Sequence, residues 1–176
     1  IATLKGKTTR RSADAVKVES LIPIPKEMIA MHKNVTLAID IFFVNGQIFF
    51  MTFSRKICFT TVTHLVSRKV NGVWAAMHKI YEMYMLRGFH IVEIAGDGEF
   101  VWIADQVASL PTNPTLDLAA ANEHVRLIER NIRFLKEKAR SLRHSLPFER
   151  IPALMLIRMV LHTVPFMNSF PRKGGL

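Results

Sequence analysis

The sequence has a single cysteine, Cys58, among its 176 residues. An internal disulfide and a zinc site built on paired cysteines are therefore excluded, and a reducing, intracellular compartment is expected. The histidines show no His-x-His or His-Glu-x-x-His spacing, and no glycine-rich phosphate loop is present. These absences argue against the common zinc enzymes and against P-loop nucleotide binding.

Acidic residues are scarce, because 14 Asp and Glu stand against 24 Lys and Arg and leave a formal charge of +10. The length suits one globular domain with a substantial core, so this excess suggests a polyanionic partner. Nucleic acid and an anionic membrane surface both fit the charge. Long apolar runs are also missing, since residues 151–167 are interrupted by Arg158, His162 and two prolines. We expect a final helix there that packs on the core or on a second subunit, and no membrane span.

Residues 1–34 precede the first strong pattern and are basic and proline-containing. We predict an irregular arm or linker, since each proline favours an extended conformation in the residue before it. Its charges fit phosphate contact and a solvated linker equally. No signal-peptide pattern is visible, and we expect the chain to be part of a longer polyprotein. The folded domain is predicted to span residues 35–176.

One carboxylate lies in the middle of the apolar run VTLAIDIFFV at residues 35–44. The run is rich in β-branched and aromatic residues, which predicts a central strand covered on both faces. An ionised carboxylate on such a strand is costly unless it is paired or coordinates a metal, so Asp40 is a candidate site residue. The alternative is an aspartate at a strand end that hydrogen-bonds a neighbouring loop.

The residues after this run predict a mixed α/β sheet. Asn45-Gly46 between two apolar runs is a strong hairpin signal, and the strands that follow it form an antiparallel meander. The predicted elements are strands at residues 47–53 and 57–65, a helix from residue 71 to Gly88, a strand at 89–95, a short helix at 101–110 and a strand at 116–120. A helix between strands implies a crossover that returns beside the first strand.

The predicted fourth strand ends in Gly96-Asp97-Gly98-Glu99-Phe100. Asp97 stands where a strand gives way to a loop, and glycines on both sides would allow a ligand to approach the backbone closely. It is the second candidate acid. An Asp-Gly turn is also ordinary loop chemistry, so a purely structural role remains the alternative.

A long helix is predicted at residues 122–146, because apolar residues recur there every three or four positions. Beside this apolar stripe lies an arc of about 100° that holds one acid in a row of bases. Its members are Arg126, Glu129, Arg133, Lys136, Arg140 and Arg143. A solvated face held by pairs such as Glu129 with Arg133 is the alternative interpretation. Glu123 is rejected as a site residue because it lies nearly opposite the apolar stripe.

Taken together, Asp40, Asp97 and Glu129 carry a resemblance to a known family. Roughly residues 35–146 resemble the catalytic core of retroviral and LTR-retrotransposon integrases, which are DDE polynucleotidyl transferases. The flanks KGKTTRR and SLPFERIP are similar to those of copia-type polyproteins. The resemblance implies an α/β, ribonuclease H-like fold, with a five-stranded mixed sheet flanked by helices.

The resemblance also implies a function and a site. Asp40, Asp97 and Glu129 would be both the catalytic and the metal-binding residues of a two-metal site for Mg²⁺ or Mn²⁺, for which carboxylates are suitable ligands. The residues expected to bind DNA are Arg126, Arg133, Lys136 and Arg140. The reactions would be 3′-end processing and strand transfer. The partners would be LTR ends, target DNA and further copies of the chain, as a homodimer or larger homo-oligomer, in the nucleus or a virus-like particle.

The sequence departs from this family in several features. The spacing between Asp97 and Glu129 is shorter than is typical of retroviral members, and Ile132 stands where relatives often have Asn. No counterpart of the family's zinc-binding domain or C-terminal DNA-binding domain is found in these residues. Two other functions are therefore kept: a non-catalytic nucleic-acid-binding remnant of an integrase, and a ribonuclease H-type nuclease that prefers an RNA–DNA hybrid.

Overall fold

A computed structural model of the chain describes residues 24–118 and 124–169. Its centre is a five-stranded sheet in the order β3-β2-β1-β4-β5. The strands are β1 (Asn34–Val44), β2 (Gln47–Ser54), β3 (Phe59–Leu65), β4 (His90–Ala95) and β5 (Thr115–Asp117). The first three strands pair antiparallel, whereas β4 pairs parallel with both β1 and β5. The prediction of a mixed sheet with an antiparallel meander and a returning crossover is confirmed.

Helices cover both faces of this sheet. They are α1 (Lys26–His32), α2 (Val70–Leu86), α3 (Ala104–Ala108), α4 (His124–His144) and α5 (Ala153–Ser169), with a 3-10 helix at Gly98–Ile103. The crossover helix α2 ends where the sequence predicts, because Gly88 takes a left-handed φ of 82° that terminates it. Among the described helices, none combines the length and the hydropathy that a bilayer span requires.

β1 is the central strand, and its side chains alternate between two apolar cores. Leu37 and Ile39 pack on one face with the buried side of α2. Ala38 and Phe42 pack on the other face against residues of α4 and α5. The prediction that this strand is covered on both faces is therefore correct.

The final helix α5 packs on the second of these cores, where Val160 and Met167 are buried. It also contacts the edge strand β3 through Asn168. The Asn168 side chain accepts a 2.9 Å hydrogen bond from the backbone N–H of Thr60 and donates a 2.8 Å bond to the Thr60 carbonyl. The amide thus occupies backbone groups on the sheet edge that another strand could otherwise pair with. The predicted packing of the final helix on the core is confirmed.

Several element boundaries differ from the sequence prediction. β3 begins at Phe59 rather than at residue 57, because Cys58 takes a left-handed φ of 51° within the preceding turn. The predicted helix at residues 101–110 is a 3-10 helix followed by the short helix α3. The fifth strand is Thr115–Asp117, and the end of its predicted range, residues 119–120, lies outside the described residues.

The prediction of an irregular arm is wrong for its last part, since residues 26–32 form α1. Ile29 of α1 packs on the core beside Gly88. The carbonyl of Lys33, just after α1, accepts a 2.6 Å hydrogen bond from the backbone N–H of His90. A helix this short depends on such tertiary contacts, which composition does not reveal. Residues 1–23 lie outside the described part of the chain, and the domain boundary at residue 35 stays a prediction.

The two glycines that flank Asp97 have different roles. A Cβ atom at Gly96 would lie 2.9 Å from Ile39 Cγ1 and 2.9 Å from Phe100 Cδ2, both in buried side chains. A Cβ atom at Gly98 would meet no atom within 4 Å. The interpretation that both glycines serve ligand approach is therefore wrong for Gly96, which allows β1 and the 3-10 helix to pack closely.

Substitution of these glycines tests the packing directly. Gly96→Ala should lower the free energy of unfolding by about 1–3 kcal/mol, because the methyl group overpacks a dense core. Gly98→Ala should change it by less than about 0.5 kcal/mol, as for a surface substitution. Urea unfolding monitored by circular dichroism measures both. Equal unfolding midpoints for the two variants would contradict the assigned packing.

Candidate active site

Asp40 lies on β1 between Ala38 and Phe42, so its side chain projects from the face of the sheet that packs on α4. It is half-buried. Its Oδ1 accepts a 2.7 Å hydrogen bond from the backbone N–H of Ile41. This bond stays within β1 rather than reaching a neighbouring loop, which was the alternative interpretation of an acid in this strand.

The parallel pairing of β1 with β4 brings Asp97 beside Asp40. Ala38 is the register partner of Ala95, and two residues further along each chain stand Asp40 and Asp97. The ladder ends at this pair, and alternation with a period of two, continued over the next two residues of each chain, would put both acids on the same face. Asp97 keeps an extended backbone, with φ −74° and ψ 162°, before the 3-10 helix begins.

A cleft of about 520 Å³ lies between α4 and the end of β1. Asp40 lines it from the strand, and Glu129 lines it from the helix. The remaining lining residues are Ile41, Phe42, Phe43, Ile132, Arg133, Lys136, Glu137 and Arg140. The fold therefore brings a strand carboxylate and a helix carboxylate into one cleft, although they are far apart in sequence. Asp97 is exposed and is not among the lining residues.

The surroundings of Asp40 disfavour its charged form. Burial raises the pKa of the Asp40 carboxyl from 3.8 to about 6, and the hydrogen bond from Ile41 opposes this rise. The negative charges of Asp97, Glu99 and Glu129 add to it, in that order. The three acids predicted from the sequence therefore interact electrostatically, and Glu99 joins them as a fourth.

Sequence reasoning quoted Glu99 within a motif but assigned it no role. Its carboxylate forms an ion pair with the guanidinium group of Arg68, which lies in the loop between β3 and α2. Among themselves, the described residues form two ion pairs, and of these only the pair of Arg68 with Glu99 includes one of the four acids. The position of Glu99 two residues after Asp97 could have marked it as a candidate site residue. Its pairing with Arg68 could not be predicted from the sequence, because only the tertiary fold brings these two segments together.

Three of the four basic residues predicted to bind DNA line the cleft, and the fourth lies outside it. Arg133, Lys136 and Arg140 line the cleft, and the Lys136 Nζ lies 5.7 Å from the centroid of the Phe42 ring. Arg126 is exposed on α4 but is not a lining residue. The cleft is therefore acidic at the strand and basic along one side of the helix.

The alternative interpretation of this helical face required local ion pairs. In residues 124–169, Glu129 and Arg133 do not form the predicted i, i+4 pair. Arg143, the last member of the basic arc, donates to the carbonyl of Glu149 after the helix instead. Glu123, the acid rejected from the sequence, lies outside the described residues. Local pairing therefore does not account for the position of Glu129.

The donor chemistry of the acids fits a divalent cation. Carboxylate oxygens are the ligands that Mg²⁺ and Mn²⁺ prefer, and a cation would offset the burial and the neighbouring negative charges that raise the pKa of Asp40. Within the part of the chain that the structure describes, no three acidic, histidine or cysteine side chains are grouped closely enough to hold one ion. Asp97 and Glu129 are both exposed, so their side chains would have to turn toward Asp40 to share a cation.

Comparison with known proteins bears on the fold. No protein-family model and no curated protein sequence matches the chain. Among solved structures, the fold is similar to the crystal structure of the catalytic core domain of BIV integrase, with a TM-score of 0.56 and 12% identity. The similarity covers 80% of this chain and 88% of that chain. The predicted α/β, ribonuclease H-like fold is confirmed, and the likeness does not single out a copia-type relative.

Replacing Asp40 by Asn should stabilise the fold at neutral pH, because Asn keeps the acceptor for Ile41 while removing a disfavoured charge. The folded pKa exceeds the unfolded value, so the stability that protonation of Asp40 contributes is complete below 3.8 and is lost as pH rises through about 6. With allowance for solvent screening, we expect the Asn variant to gain on the order of 1 kcal/mol near pH 8.

Urea unfolding of the parent and of Asp40→Asn at about pH 8 and about pH 4 measures this effect. The difference between the two proteins should shrink at the lower pH, where the parent carboxyl is protonated in the folded state. A difference that is the same at both pH values would show that the carboxyl of Asp40 is not perturbed.

Proposed function

We propose that the chain is the metal-dependent polynucleotidyl transferase core of a retroelement integrase, which performs 3′-end processing and DNA strand transfer. The observation that carries this proposal is the cleft in which Asp40 and Glu129 lie beside the bases of α4. The register of β1 and β4, in which Ala38 pairs with Ala95 two residues before Asp40 and Asp97, supports it. The ribonuclease H-like fold, shared with the catalytic core domain of BIV integrase, is compatible with it.

Asp40, Asp97 and Glu129 would hold Mg²⁺ or Mn²⁺ in a two-metal site. When bound, the ions would activate the attacking oxygen and stabilise the leaving oxygen at a phosphodiester. Asp40 would supply the most rigid carboxylate, because it lies within β1, pairs with Met51 of β2 and is half-buried. Asp97 and Glu129 supply exposed carboxylates that can adjust to the substrate.

The bases of α4 would bind the substrate backbone. Arg133, Lys136 and Arg140 line the cleft next to Glu129 and would contact phosphates without reading sequence. Arg126 would extend this surface outside the cleft. Such contacts place a phosphodiester near the carboxylates and balance the negative charge that the acids and the DNA bring together.

The sequence resemblance extends the proposal to the biological setting. The partners would be the LTR ends of a copia-type element and target DNA, and the formal charge of +10 supports a DNA partner. The chain would act as a homodimer or larger homo-oligomer, would be released from a polyprotein, and would work in the nucleus or a virus-like particle. A membrane partner is not part of this proposal.

One observation favours a second candidate, the non-catalytic nucleic-acid-binding remnant. Within the described residues, no three ligand side chains are grouped closely enough to hold an ion. A remnant would bind DNA through the same bases but would bind no divalent cation in the cleft. A ribonuclease H-type nuclease would bind the cation and would cleave an RNA–DNA hybrid in preference to joining DNA ends.

Glu129→Gln tests the metal site, because it removes one charged ligand while preserving side-chain shape and helix propensity. We expect Mn²⁺ affinity, measured by titration calorimetry, to fall by about tenfold or more. Glu137→Gln is the matched control, since Glu137 lines the same cleft on the same helix but is not among the charges that raise the pKa of Asp40. Equal affinity in the parent and both variants would overturn the assignment of Glu129. A parent that binds no Mn²⁺ would favour the remnant.

The salt dependence of DNA binding tests the basic side of the cleft. A side chain that neutralises one phosphate contributes about 0.9 to the slope of log K against log salt, so Arg133→Ala combined with Lys136→Ala should reduce that slope by roughly 2. The control pair is Arg130→Ala with Lys138→Ala, which removes two exposed bases of α4 that do not line the cleft. Fluorescence anisotropy with a duplex of arbitrary sequence gives both slopes. Identical slopes for the two double variants would show that the cleft does not hold the DNA.

A further inference from the structure

The pairing of β1 with β4 shifts by one residue partway along the ladder. Val35 pairs with Ile91. The next residue of β1, Thr36, pairs with Glu93 rather than with Val92. The ladder therefore passes over Val92, which is 40% exposed. An extra residue of this kind in one strand is a β-bulge, and bulges recur next to active sites, where they re-aim side chains.

The sequence of β4 gives the physical reason for the extra residue. Ile91 and Ile94 both lie in the core that packs on α2, although they are three positions apart. Regular alternation would instead put Glu93 on the face of Ile91, inside that apolar core, at a high desolvation cost. Because the ladder passes over Val92, Glu93 takes the opposite face. There its Oε2 accepts a 2.9 Å hydrogen bond from the hydroxyl of Thr36.

The shift decides which face of the sheet Asp97 takes. With it, Asp97 stands level with Asp40 when the register is continued beyond the last pair of the ladder. Without it, Asp97 would stand level with Ile41, which packs in the core on the α2 face. A Cβ atom at Gly96 would lie 2.9 Å from Ile39 Cγ1, in that same core, which indicates that the neighbouring Asp97 projects from the other face.

We propose that this bulge positions the candidate site, because it puts Asp97 on the face of Asp40, and that Glu93 is the positioning residue that enforces it. The inference rests on the proposed function, in which the two acids share a cation, and deepens it by naming what sets their phase. Glu93 acts through Asp97 and is not itself a ligand. Removing one residue from a regular strand turns every later side chain to the opposite face, whereas removing the residue that a bulge passes over turns none.

Two variants separate the phase of β4 from its general stability. Deletion of Val92 leaves the order Ile91, Glu93, Ile94, which alternates regularly. The bulge then disappears while Asp97 keeps its face. The exchange variant, Glu93→Ile with Ile94→Glu, keeps the composition and gives β4 regular alternation without a deletion. It should therefore lose the bulge and turn Asp97 toward the α2 face.

Thiol cross-linking reports the phase without any metal. In a Cys58→Ser background, the same-face pair is Asp40→Cys with Asp97→Cys, and the opposite-face pair is Ile41→Cys with Asp97→Cys. Neighbouring strands lie about 4.8 Å apart, so level thiols on one face can form a disulfide and thiols on opposite faces cannot. Each pair is introduced into the parent, the deletion variant and the exchange variant, and disulfide formation on oxidation is measured by mass spectrometry.

We expect the same-face pair to cross-link in the parent and in the deletion variant, and the opposite-face pair to cross-link in the exchange variant. A deletion variant that changes to the opposite-face pair, or an exchange variant that keeps the same-face pair, overturns the proposal. If the exchange variant fails to fold, the deletion variant alone decides.

Mn²⁺ titration of the same three proteins, with their acids intact, separates this inference from the proposed function. The parent and the deletion variant should bind Mn²⁺ equally, and the exchange variant should bind it about tenfold or more weakly. Equal affinity in all three proteins would show that the phase of Asp97 does not serve the cation, and would overturn the positioning role. A parent that binds no Mn²⁺ would overturn the proposed function and leave the cross-linking result standing.

Discussion

The candidate site depends on the free-energy cost of placing a carboxylate on the central strand of the sheet. Asp40 lies between residues of a buried core, and burial together with three neighbouring acids raises its pKa to about 6. Such an arrangement lowers the stability of the folded domain, and strongly perturbed carboxylates of this kind cluster at functional sites. Asp40 is held by pairing with Met51 of β2, just beyond the end of the β1–β4 ladder at Ala38 and Ala95, and the packing of α4 puts Glu129 in the same cleft. The burial of Asp40 and its repulsion by the neighbouring acids are the properties from which cation binding is inferred.

The cleft combines this acidic centre with surfaces suited to a polyanion. Arg133, Lys136 and Arg140 lie along one side, where they can hold phosphates that the acids alone would repel. Arg68 forms an ion pair with Glu99, whereas neither Asp97 nor Glu129 takes part in an ion pair among the described residues. Under the proposed function, separate groups would meet the two requirements of phosphodiester chemistry: the carboxylates would supply hard oxygen ligands, and the bases of α4 would supply a cationic path for the backbone.

Most of the fold could be predicted from the sequence because its signals are local. The Asn45-Gly46 hairpin, the apolar stripe of α2 and the left-handed Gly88 each depend on a few neighbouring residues. Features that depend on distant contacts were missed, such as α1, which is held by Ile29 against the core, and the pairing of Glu99 with Arg68. Periodicity placed Glu129 beside the apolar stripe, but only the packing of α4 on β1 puts it in a cleft with Asp40. The role of Gly96 was misjudged because its neighbours Ile39 and Phe100 come from the fold.

The central claim is that Asp40 is the perturbed carboxylate of a cation site, and a nuclear magnetic resonance titration of its side-chain carboxyl carbon tests this most directly. Without divalent cations, the Asp40 carboxyl should titrate with a pKa of about 6. With saturating Mg²⁺, that pKa should fall clearly, because the cation stabilises the ionised form. An Asp40 that titrates near its ordinary value, or a raised pKa that Mg²⁺ leaves unchanged, would contradict the account.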